Sequence, residues 1–174
     1  MYAAIGVTWV LAQPAPLAKK VDLIGYLQAG YAGIKADLTS AADAMPDADY
    51  GFKPTSMPEM RTFGETIAHV ASAQFKMCAG LRGVPDESPT VPPATKAEVR
   101  KVLAASFASC DAAFASLTEA SGGEFVRQGP VEIPKTAALM GLIAHNAEMY
   151  GITTVYLRAK NIVPPSTARQ KGNR

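Results

Sequence analysis

The sequence predicts an all-α domain, an antiparallel four-helix bundle, and three observations carry that prediction. Four stretches of similar length repeat apolar residues in steps of three and four, the stripe of an amphipathic helix. Proline- or glycine-rich segments separate them, and no strand-period segment is long enough to form a sheet. The chain has 174 residues, 48% of them hydrophobic and only 7% aromatic, which suits one compact helical domain rather than a β-sandwich.

The first helix is expected over residues 20–44. Leu23, Ile24, Leu27, Tyr31, Ile34 and Leu38 form its stripe, Asp22 lies in its first turn where the helix dipole favours negative charge, and Pro46 closes it. Residues 46–61 hold Pro46, Pro54 and Pro58, a density that excludes regular helix. A second helix opens at Thr62, because Thr62-Phe63-Gly64-Glu65 reads as a capping box, and it runs through Ile67, Val70, Ala71, Phe75 and Cys78 to about Gly83. Pro85, Pro89, Pro92 and Pro93 make residues 84–94 a second linker. Thr95 and Glu98 repeat the capping pattern and start a third helix, residues 96–120, which Gly122 and Gly123 stop. Residues 124–134 connect to a fourth helix, with an extended stretch around Val131 and Ile133. Thr136 is its expected N-cap, and it runs to about Lys160 before Pro164 and Pro165.

The chain therefore divides into residues 1–19, a four-helix domain over 20–166, and a basic tail over 167–174 expected as a disordered solvated end. Residues 3–12 are mostly apolar, and the small residues Val10 and Ala12 stand just before Gln13-Pro14, as in an exported protein's signal peptide. The segment is too short to span a bilayer, and no Lys or Arg precedes Lys19. Its other reading is an apolar tail packed on the bundle in a cytoplasmic protein. Seventeen basic residues against fifteen acidic ones give a net charge of +2 with no basic stripe, so nucleic-acid binding lacks electrostatic support. The two cysteines, Cys78 and Cys110, form one disulfide if the protein is exported; in a reducing compartment they are two small buried hydrophobes.

The two histidines carry the chemistry. His69 and His145 fall inside predicted helices on or beside the apolar stripe, and imidazoles on facing helices are how bundles build interior metal sites. Spacing alone leaves open the blander reading of two core histidines bonded to neighbours. Met149 shares His145's face, one turn on.

Arg61-Thr62-Phe63-Gly64-Glu65-Thr66-Ile67-Ala68-His69-Val70-Ala71 resembles the start of the second helix in the DinB-like family. His145-Asn146-Ala147-Glu148-Met149-Tyr150-Gly151, then Tyr156-Leu157-Arg158 and Ile162-Val163-Pro164-Pro165, resembles its fourth helix and exit. The resemblance spans residues 22–166. It implies a four-helix bundle, usually a homodimer, in which one histidine of the second helix and an i, i+4 pair of the fourth bind a divalent cation such as zinc or nickel. On that pattern His69 is the first ligand and His145 the second, while Met149 occupies the third position and departs from it. A thioether is soft and uncharged, a poor donor to zinc or nickel though acceptable to copper(I), so the resemblance implies a weakened or lost ion. Glu148 points about 100° away around its helix. Glu65 is the better replacement or supporting carboxylate, although its capping role competes.

Known relatives are bacillithiol and mycothiol transferases and a maleylpyruvate isomerase, whose metal lowers the pKa of a bound thiol or water. The resemblance thus implies a metal-dependent hydrolase or transferase acting on a small molecule. Its alternative is a non-catalytic bundle binding a small ligand or a protein partner, with both histidines structural.

Overall fold

The computed structural model describes residues 19–172. The apolar segment read as a signal peptide lies outside them, apart from Lys19. Four long helices carry the architecture: α1 (Leu23–Ala44), α2 (Phe63–Arg82), α3 (Lys96–Ala115) and α5 (Lys135–Ala159). A single turn, α4 (Glu119–Gly122), follows α3, and α6 (Pro165–Gly172) follows α5. The four-helix bundle is as the sequence predicts. Among the described residues no helix is long and apolar enough to cross a membrane.

Local chemistry sets the boundaries. Asp22 is the N-cap of α1 rather than a member of its first turn, its carboxylate accepting from the Gly25 N–H at 2.7 Å. Complete capping boxes start α2 at Thr62 with Glu65 and α3 at Thr95 with Glu98. Gly83 ends α2 at φ 67°, a conformation a side chain would strain. The expected third helix is shorter than its pattern, because Thr118 and Ser121 cap a new turn after α3. Residues 124–134 fold into a short antiparallel hairpin, β1 (Phe125–Gln128) against β2 (Val131–Pro134), turned at Gly129 with φ 61°. This ladder is too short for periodicity to reveal. Thr136 is inside α5 rather than at its cap, and its hydroxyl donates to the Gly122 carbonyl. Residues 167–172 of the tail expected to be disordered lie in α6. Pro165 suits a first helical position, Ser166 bonds the Tyr150 hydroxyl, and Arg169 reaches the buried Asp37 at 2.6 Å.

Neighbour contacts give each helix its direction. The Lys96 ammonium donates to the Met45 carbonyl, and Gln28 donates to the Phe114 carbonyl, so α1 and α3 are antiparallel. Tyr156 bonds the Arg61 carbonyl while Leu81 and Leu139 meet near the other end, so α2 and α5 are antiparallel too. His69 and Val102 share one level, Cys78 and Cys110 a second, Leu81 and Ala113 a third. Thus α2 and α3 run parallel, and so do α1 and α5. Residues 83–95 must then travel back along the 20-residue α2, a length of about 30 Å. Extended proline-rich chain advances about 3.1 Å per residue and covers that distance. The core between the helices includes Leu38, Met45, Phe63, Ile67, Val70, Leu139, Leu142, Tyr156 and Leu157, all essentially without solvent contact.

Candidate metal centre

The Thr62 capping box sets where α2 begins and hence where His69 stands, nearly two turns in. Glu65 accepts from the Thr62 N–H at 2.7 Å while its own N–H donates to the Thr62 hydroxyl. That backbone N–H, more than the nearby cations, holds the exposed Glu65 carboxylate below its usual pKa. Tyr156 of α5 donates to the Arg61 carbonyl at 2.6 Å and fixes the start of α2 against α5.

On this frame the two imidazoles converge. His145 Nε2 lies 3.4 Å from His69 Nε2, with ring centroids 5.4 Å apart and ring planes at 62°. Both residues are half-buried. Burial lowers the His69 pKa, and the Arg61 and His145 charges push it the same way, so the ring is neutral and free to donate a lone pair near pH 7.

Two nitrogens at about 2.0–2.1 Å from one ion in tetrahedral geometry lie about 3.3–3.4 Å apart. A direct N–H hydrogen bond is shorter, about 2.9–3.0 Å. The 3.4 Å contact matches the common-ion spacing and is also within reach of a long hydrogen bond between the two rings. The other donors fit less well. Met149 is buried on α5, one turn beyond His145, and offers only a thioether. Among the described residues no three His, Cys, Asp or Glu side chains cluster as an ion would require. Glu148 is exposed on another face. Glu65 keeps its carboxylate on the Thr62 N–H and makes no hydrogen bond to His69, although both line one cleft. His145 Nδ1 is buried without a partner. With Nε2 given to an ion, that nitrogen carries the hydrogen, and a buried donor left unpaired costs about 1–3 kcal/mol. Zinc-bound histidines usually have this second nitrogen satisfied.

The amides of Gln74 on α2 and Asn146 on α5 are also fully buried and unpaired. Sequence reading passed over both, since a buried amide has no local pattern to betray it. It likewise gave the linker of residues 84–94 no role at the site. Beside His69 lies a cleft of about 270 Å³ whose outer wall is Ser88, Pro89, Pro92 and Pro93 of that linker. Proline density was the available signal, because a segment unable to coil had to lie extended along the bundle.

Below the site, Cys78 of α2 and Cys110 of α3 are paired as a disulfide with Cα atoms 5.1 Å apart, both without solvent contact.

The DinB superfamily profile matches residues 33–149, a span that holds His69, His145 and Met149. Among solved structures, a DinB-like protein from Bacillus cereus ATCC 10987 is 19% identical with a TM-score of 0.69, the match covering 81% of this chain and 94% of that one. A DinB-like protein from Bacillus subtilis is 12% identical with a TM-score of 0.65, covering 79% of this chain and 93% of that one. At these identities the likeness is one of fold. No curated protein matches the chain.

Proposed function

The chain belongs to the DinB superfamily, and on that premise we propose that it is a metal-dependent hydrolase or transferase, its divalent ion held by His69 and His145. The supporting observation is the 3.4 Å separation of the two Nε2 atoms, carried by residues 76 positions apart. His69 and His145 would hold a zinc or nickel ion, which when bound would supply Lewis acidity for activating a nucleophile near neutral pH. The protein's part is to supply two neutral imidazoles and to shelter the reacting group in the cleft between α2 and the proline linker. Met149 adds little binding energy for such an ion, so occupancy is weaker than with three imidazoles.

Metal analysis after exhaustive dialysis tests this. The parent retains a fraction of an ion per chain, His69→Ala and His145→Ala lose it, and Met149→His raises it toward one. If Met149→His gains stoichiometric zinc while the parent holds none, the enzyme reading of the parent fails. The second reading, a non-catalytic bundle, then takes its place; the orphaned Nδ1 of His145 and the thioether of Met149 favour it.

Two further proposals follow from the family resemblance and the cysteine pair. The chain is a homodimer, which sedimentation as a monomer would refute. It is exported, the paired cysteines matching an oxidising compartment, and cell fractionation tests that.

A further inference from the structure

Met149 is the residue of the expected ligand set that a divalent ion leaves unused. It is buried on α5, four residues beyond His145, and helical residues four apart are neighbours on one face. A helical side chain leans toward the N-terminal end of its helix, which for Met149 is the direction of His145. The thioether therefore shares a helix face with the imidazole whose Nε2 lies 3.4 Å from that of His69.

Two properties of this set select among ions. Its donors, two imidazoles and a thioether, are all neutral, and no carboxylate completes them. Among the described residues no three His, Cys, Asp or Glu side chains cluster, and Glu65 is held by the Thr62 N–H. A divalent ion thus keeps its whole double charge in a half-buried place, where a singly charged ion keeps half as much. The sulfur, moreover, is soft, and soft donors favour copper(I) over zinc or nickel. Cys78 and Cys110 are bonded to each other and offer no thiolate to compete for a soft ion. The unpaired Nδ1 of His145 burdens every ion alike and does not enter the choice.

We infer that copper(I) is the ion this site binds most tightly, through His69, His145 and Met149, and that it displaces the divalent ion of the proposed hydrolase or transferase. A singly charged ion is the weaker Lewis acid, so its occupancy switches that chemistry off. The inference rests on the metal reading for where the ion sits; the choice of ion rests on Met149.

The full chain is titrated without oxygen, copper(I) being supplied as its acetonitrile complex against the chromophoric chelator bicinchoninate, with zinc in a parallel competition. Copper(I) binds the parent stoichiometrically and displaces zinc, and X-ray absorption at the copper edge shows both nitrogen and sulfur neighbours. Met149→Leu nearly conserves volume, so the core keeps its packing. It loses the sulfur neighbour and weakens copper(I) about 10–100-fold, the range lost even when a group that merely supports a ligand is removed. Its zinc affinity stays within about twofold, the thioether being a poor zinc donor. Circular dichroism melting of each variant verifies the fold. If the leucine variant does not fold, Met149→His reads the same choice in reverse, zinc gaining on copper(I). Zinc binding that copper(I) does not displace, or a copper(I) affinity and sulfur signal unchanged in Met149→Leu, overturns the inference and leaves the metal reading standing. A parent that binds neither ion overturns both.

Discussion

Breaking the bond between Cys78 and Cys110 should change the stability of this fold substantially. The two cysteines are 32 residues apart, and the loop they close contains the whole linker that walls the cleft. Chain-entropy reasoning assigns a loop of that length about 3.7 kcal/mol at 25 °C, because the cross-link removes open conformations from the unfolded chain. For a chain of this size each kcal/mol shifts Tm by about 2–4 °C, so reduction should lower it by about 7–15 °C. Both cysteines lack solvent contact, so reductant must act during unfolding rather than on the native surface. The assay is circular dichroism melting of protein refolded with and without a phosphine reductant, paired with alkylation mass spectrometry under denaturing conditions. Oxidised protein should resist alkylation at both positions. Free thiols in protein folded under oxidising conditions, or a Tm change below about 2 °C, would refute the reasoning.

Tyr156→Phe removes the hydroxyl that donates to the Arg61 carbonyl and should cost about 1–2 kcal/mol in urea unfolding; an unchanged midpoint would mean that bond does not anchor α2. Glu65→Ala should lower stability by about 0.5–1 kcal/mol through the lost cap while leaving metal affinity unaltered. A tenfold loss of affinity would instead assign the carboxylate to the site. For pH, burial holds the folded His69 pKa below its unfolded value, so the unfolded chain binds more protons between the two. Its stability contribution is lost as pH falls from about 6.5 and is fully gone below the folded pKa. Urea midpoints at pH 7.5, 6.5 and 5.5 should fall less steeply in His69→Asn than in the parent, and equal slopes would refute the attribution.

Most of the bundle was legible because its signals are local. Thr62 and Glu65, like Thr95 and Glu98, complete a cap within four residues, and Gly83 ends a helix by its own backbone freedom. Where signals were shorter than a helical period, the reading was coarser. The Thr118–Ser121 turn, the hairpin and Thr136 within α5 depend on contacts such as the Thr136 bond to Gly122, 14 positions away. The basic tail gave no local sign of α6, whose anchors are Tyr150 and Asp37. At the site, the same histidines that helical spacing singled out do meet, while Glu65 stays at its cap and His145 Nδ1 has no partner.

From the sequence alone came the four helices, the caps of α2 and α3, the apolar stripes and the choice of His69 and His145 as the residues to watch. All of these depend on propensities and hydrogen bonds acting over a few residues. Tertiary structure decided that α2 and α3 run parallel, that the proline linker lies over the cleft, and that two imidazoles 76 residues apart stop at 3.4 Å. Those outcomes depend on how far each helix rotates and slides against its neighbours, which close packing of Phe63, Ile67, Leu142 and Tyr156 settles and no short stretch of chain encodes.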